Sequence, residues 1–131
     1  MDNNAYRNFT IFHKRLADRV VTYEEQNLGF LLIHLDDGTA ILYDDYYQRI
    51  RDVPKEPNSM SEAEYRKEFG YRLIRLMDIR NITQDELAKR TGIQRCQINK
   101  YINGKTTPSF YNVDKIAKAL KCSVDDLRYI N

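Results

Sequence analysis

The chain has 131 residues, room for one ordinary domain or two small ones, and its 42% hydrophobic and 31% charged residues describe a globular rather than a disordered chain. No apolar run approaches the roughly 18 residues of a membrane span, and Met1-Asp2-Asn3-Asn4 lacks the basic start and apolar stretch of a signal peptide, which places the chain in the cytoplasm. The net charge of +2 hides an asymmetry: residues 1–59 carry 7 Lys/Arg against 10 Asp/Glu, residues 60–131 carry 14 against 9, and residues 89–121 carry 8 against 1.

In chain order, residues 5–16 set Ala5, Tyr6, Phe9, Phe12 and Leu16 at helical spacing and predict one short amphipathic helix. Val20, Val21 and Tyr23 predict a strand over residues 19–25. Residues 29–35 and 39–43 flank Asp36-Asp37-Gly38 and read as a β-hairpin, with Asp-Gly supplying the positive-φ positions of a tight turn. Residues 44–51 fit either a third hairpin arm or a short helix. One sheet and one helix in about 55 residues is marginal alone, so this module leans on the second half or on a partner chain.

The stretch Val53-Pro54-Lys55-Glu56-Pro57-Asn58-Ser59 reads as a seam, because each proline lacks a donor and pushes its predecessor toward extended geometry. The boundary is set near residue 58, giving units 1–58 and 59–131. Beyond it the pattern is helical. Ser61 and Glu64 form a capping box ahead of a helix with Tyr65, Phe69, Leu73, Leu76 and Met77 on one face. Thr83 and Glu86 predict a second box, opening a helix with Leu87 and Ala88 that ends near Gly92. Residues 94–102 carry Ile98 and Ile102 and stop at Asn103-Gly104. Pro108-Ser109 opens a helix with Val113, Ile116, Ala117 and Leu120 inward, and Ser123 caps a last one with Leu127 and Ile130.

The informative run is Thr83-Gln84-Asp85-Glu86-Leu87-Ala88-Lys89-Arg90-Thr91-Gly92-Ile93-Gln94-Arg95-Cys96-Gln97-Ile98-Asn99-Lys100-Tyr101-Ile102-Asn103-Gly104-Lys105. Ala88 is small enough for a close helix crossing, Gly92 permits a sharp turn, and Ile98 anchors the second helix on the first. Its N-terminal part then projects outward, as entry into a major groove requires. With the preceding Phe69-Gly70-Tyr71-Arg72-Leu73 and the following Pro108-Ser109, Ile116-Ala117 and Ser123-Val124-Asp125-Asp126-Leu127, this region resembles the XRE/Cro-type helix-turn-helix family of phage repressors and bacterial regulators. The resemblance covers about 64 residues, on the scale of an ordinary small domain.

The chain is thus expected to be α+β overall: a small N-terminal helix-plus-antiparallel-hairpin module, read from its apolar pattern, then the all-α five-helix lambda-repressor-like DNA-binding domain that the resemblance implies. The resemblance also implies roles by position. Arg95, Cys96 and Lys100 match the base-reading positions, with Gln94, Gln97 and Asn99 beside them. Gln84 resembles a glutamine that binds phosphate and braces the recognition helix, and Thr83, Asn103, Lys105 and Thr106 match the phosphate-contacting positions. The chemistry agrees at Arg95, whose planar fork suits guanine O6 and N7. Lys100 follows about 1.4 turns later. Two positions depart from the family pattern. Tyr101-Ile102 stands where a glutamate is frequent, implying an apolar contact. Cys96 replaces the more usual Ser, Thr or Gln and is a small filler or, alternatively, a redox-sensing thiol.

The implied partner is double-stranded DNA, bound by a homodimer on a palindromic operator, with a protein partner of the N-terminal module as a further possibility. An operon-autoregulating antitoxin and a protein-interaction adaptor that contacts no bases are the alternatives. The sequence offers no catalytic motif, cofactor motif or metal-ligand spacing. Asp36, Asp37, Asp44 and Asp45 suit turn chemistry better than a cation. Tyr43, Tyr46 and Tyr47 fit hairpin packing better than an interface. Cys96 and Cys122 lack zinc-ligand spacing and read as reduced thiols.

Overall fold

The computed structural model describes residues 4–128, and the chain divides into two compact units, Met1–Val53 and Pro54–Asn131. The first contains helices α1 (Asn4–Phe12) and α2 (Lys14–Ala17). Strands β1 (Val20–Glu25), β2 (Phe30–Leu35), β3 (Ala40–Asp44) and β4 (Arg49–Asp52) then form an antiparallel meander in that order. Residues 44–51 resolve into a turn and a hairpin arm, with Tyr43 opposite Ile50 and Asp44 opposite Arg49. The predicted hairpin is therefore the centre of a four-stranded sheet.

The single helix expected over residues 5–16 is two. His13 leaves helical geometry at φ −132° and ψ 57°, and its ring lies 5.5 Å from Phe9 and 5.8 Å from Tyr43. The break leaves Phe12 exposed to solvent, while Phe9 is fully buried. Strand alternation sends Leu31, Ile33 and Leu35 to one sheet face, where Phe9 and Tyr43 complete the cluster. Of the Asp-Gly pair in the hairpin turn, only Gly38 has positive φ, at 84°. Gly38 N donates to Leu35 O and Leu35 N to Thr39 O, so a three-residue loop ends in a left-handed glycine.

The aspartates here organise turns. Asp37 accepts from the Thr39 hydroxyl and from Thr39 N, which hold its carboxyl down at about 2. Asp44 accepts from Tyr46 N and Tyr47 N. Tyr43 is buried, whereas Tyr46 is exposed and packs edge-on against Tyr47.

The second unit holds α3 (Glu62–Arg80), α4 (Gln84–Thr91), α5 (Arg95–Ile102), α6 (Phe110–Leu120) and α7 (Val124–Arg128). The Ser61/Glu64 capping box is complete. At Thr83 only half of the expected box forms: its hydroxyl accepts from Glu86 N, but the Glu86 carboxylate turns to Arg90, 3.4 Å away. Ser109 and Ser123 cap α6 and α7. Phe69, Leu73, Leu76, Met77, Leu87, Ile98, Val113, Ile116, Ala117, Leu120 and Leu127 are all buried, as their spacing predicts. Tyr65 and Ile102 are only half-buried. Ile130, expected inward, lies outside the described residues.

Side-chain caps at Ser61, Thr83, Ser109 and Ser123 agree with the buried apolar faces of their helices, which is the consistency expected of an autonomous unit. A fragment of residues 54–131 is expected to fold alone with a cooperative helical melt by circular dichroism. A fragment without helical signal would refute that autonomy.

Candidate nucleic-acid interface

Helix α4 stops at Gly92, a left-handed residue whose N–H bonds to Ala88 O. Ile93 is buried just beyond it, and α5 restarts at Arg95. Ile98, without solvent exposure, fixes the inner face of α5. Its outer face therefore presents Arg95, Cys96, Asn99 and Lys100, all exposed. The end of α5 is equally determined. Gly104 N bonds to Tyr101 O and Lys105 N to Lys100 O, with Gly104 at φ 66°. This paired closure needs a left-handed residue, which glycine supplies without strain. It fixes the backbone of Lys105 relative to the helix.

These elements converge on one shallow depression of about 450 Å³ lined by Gln84, Arg95, Cys96, Asn99, Lys100 and Lys105. Six side chains singled out from sequence, drawn from both helices and the following loop, thus share one surface. Gln84 Oε1 accepts from Asn99 Nδ2 at 3.4 Å, a brace between α4 and α5. Asn103 Nδ2 donates to Asn99 O and Asn99 Oδ1. Gln97 is half-buried and donates to the Thr106 hydroxyl at 3.2 Å, tying α5 to the loop. Thr83, Gln94, Gln97, Asn103 and Thr106 flank the depression rather than line it. Gln94 accepts from the Cys96 thiol at 3.6 Å.

Lys89, Arg90, Arg95, Lys100 and Lys105 are all exposed, so the basic stretch is available to a polyanion. Cys96 is an exposed free thiol; Cys122, also free, is half-buried, and burial next to Asp126 pushes its thiol up to about 11. Tyr101 corrects the expected apolar contact in part. Its ring is buried against Phe69, but its hydroxyl accepts from Asn112 Nδ2 at 2.8 Å.

Three participants escape a sequence reading. Arg66, in α3, donates from Nε to Gly104 O at 3.1 Å and so anchors the loop that carries Lys105. Gly70 lets α3 approach the carbonyls of Tyr101 and Ile102 at the end of α5. Asp85 forms an ion pair with Arg95, Nε to Oδ1 3.3 Å, although both side chains are well exposed. Residues 38 or 10 positions apart carry no periodic signal of such contacts.

Two short helices joined through a left-handed glycine, the second with its polar face outward, define a helix-turn-helix DNA-binding unit. Residues 72–131 match the Cro/C1-type HTH DNA-binding domain, so this stretch of the C-terminal unit is similar to that family. Among solved structures, an HTH_3 family transcriptional regulator from Vibrio cholerae shares 21% identity. It aligns at TM-score 0.50 over 51% of this chain and 38% of its own, and shows the same fold. The restriction-modification controller protein C.AhdI from Aeromonas hydrophila is 29% identical over 47% of this chain and 94% of its own, at TM-score 0.46. A hypothetical transcription factor, NHTF, from Neisseria is 21% identical over 58% of this chain and 88% of its own, at TM-score 0.48. No curated protein matches the chain. Among the described residues, no helix is long and apolar enough to cross a membrane.

Proposed function

We propose that this chain is a sequence-specific transcriptional regulator, a cytoplasmic repressor that binds a palindromic operator as a homodimer. The observation that carries this reading is the shared surface of Gln84, Arg95, Cys96, Asn99, Lys100 and Lys105 within a basic stretch. Arg95, Cys96 and Lys100 face base edges, with Gln94, Gln97 and Asn99 in support. Gln84, Thr83, Asn103, Lys105 and Thr106 hold the sugar-phosphate backbone on either side. A single recognition helix of 8 residues covers few base pairs, which favours paired half-sites and hence a dimer. The N-terminal unit, with 10 acidic against 7 basic residues over positions 1–59, suits self-association or a protein partner better than a phosphate surface.

Selection of bound DNA from random sequence by the full chain tests the reading directly. Titration of two variants at several salt concentrations then separates the roles. Arg95→Ala is expected to cost about 1–3 kcal/mol on the selected site and little on random DNA, because it removes a base contact. Lys105→Ala is expected to weaken both DNAs about equally and to flatten the salt dependence by roughly one unit. Equal loss on both DNAs for Arg95→Ala would reassign the recognition helix. No effect of either change on any DNA would favour the adaptor instead.

A further inference from the structure

The Asp85–Arg95 pair gives the recognition surface a feature that a simple basic patch does not need. A carboxylate close to a phosphate lattice repels it, so Asp85 weakens general attraction to DNA. Its second effect is geometric. An arginine can present two donor edges to a planar acceptor, one formed by Nε with a terminal nitrogen and one formed by the two terminal nitrogens. Asp85 Oδ1 lies 3.3 Å from Arg95 Nε. This charge contact, made at Nε and without a hydrogen bond, draws the side edge toward Asp85, and the end edge remains for the O6 and N7 pair of guanine. Asp85 is anchored to do this, since it lies in the first turn of α4, whose start is capped by Thr83.

We propose that Asp85 is a positioning residue that sets the specificity of Arg95. By holding the guanidinium side-on, it commits the end-on fork to one guanine, and by its charge it discourages binding to unrelated DNA. This rests on the proposed base-reading role of Arg95. Asp85 itself touches no base in this scheme.

The test uses the full chain and DNA selected by the wild type, with Asp85→Ala, Asp85→Asn, Arg95→Ala and the Asp85→Ala/Arg95→Ala pair. Asp85→Ala should reduce discrimination at the base pair read by Arg95 roughly two- to fivefold, the size an exposed ion pair supports. Discrimination elsewhere should stay unchanged, and affinity for random DNA should rise, most at low salt, because the lost repulsion is electrostatic and screened by ions. Asp85→Asn keeps an acceptor oxygen without the charge. It should restore most of the guanine preference while keeping the raised random-DNA affinity. In the Arg95→Ala background, Asp85→Ala should not alter discrimination further.

If Asp85→Ala leaves the guanine preference intact, or lowers discrimination equally at every position, the positioning role is wrong and the base-reading role of Arg95 stands. The positioning role is equally wrong if the effect of Asp85→Ala on discrimination persists without Arg95. If the wild type selects no sequence, or Arg95→Ala changes no base preference, both readings fall together.

Discussion

Gly70→Val is expected to destabilise the helical unit strongly, by about 3 kcal/mol or more. A Cβ built on Gly70 lies 2.5 Å from Ile102 O and 2.8 Å from Tyr101 O. Both obstacles are backbone carbonyls at the end of α5, so no rotamer change relieves the clash. The diagnostic comparison is Gly70→Ala. In an unobstructed helix interior that change stabilises by about 1 kcal/mol, because alanine restricts the unfolded chain. Here steric overlap opposes the gain, and the net effect is expected to be destabilising. Relief requires α5 to move away from α3, which also displaces Arg95, Lys100 and the Lys105 loop. Denaturant unfolding of both variants, with DNA binding measured in parallel, checks the claim. A stabilised Gly70→Ala protein would show that the approach of α3 to α5 is looser than described.

Glu68→Ala is expected to cost about 3–5 kcal/mol, the range for stranding one member of a buried ion pair. Glu68 and Arg72 are 7% and 5% exposed and face each other one turn apart on α3, Oε2 to Nε 2.7 Å. Arg72 also points Nη1 at the Asp126 carbonyl, 3.5 Å away, linking α3 to the start of α7. Removing the carboxylate leaves a buried guanidinium without its nearest counter-charge. Replacing both residues, as Glu68→Leu with Arg72→Met, removes the charge along with the partner and should cost far less than Glu68→Ala alone. Chemical denaturation of the single and double variants decides the point. A cost below about 1 kcal/mol for Glu68→Ala, the range of exposed ion pairs, would mean that the pair is effectively solvated.

The helical unit was legible in the sequence because its determinants are local. A capping serine sees a backbone three residues away, and an inward Leu or Ile recurs at three or four positions. Ser61, Gly92, Ile98, Asn103-Gly104 and Ser109 each announced a start, a stop or a face through that short range. The N-terminal unit was less legible where local preference met tertiary contact. Residues 5–16 carry a helical period, yet His13 leaves the helix where its ring packs on Phe9 and Tyr43. Of residues 44–51, the last three became strand because β3 offered an open edge to pair with.

The same division runs through the candidate interface. By itself the sequence determined which residue types reach the surface of α5: the buried Ile98 fixes the helix phase, and Arg95, Cys96, Asn99 and Lys100 then follow by rotation. The family resemblance implied that Gln84 braces the recognition helix, but only the tertiary structure decided which partner each of the holding side chains takes. Asp85 engages Arg95, Gln84 braces Asn99, Gln97 binds Thr106, and Arg66 fastens Gly104. Each of these contacts joins segments 9 to 38 residues apart. Their partners are chosen by how the helices pack, for which residue spacing along one helix holds no record.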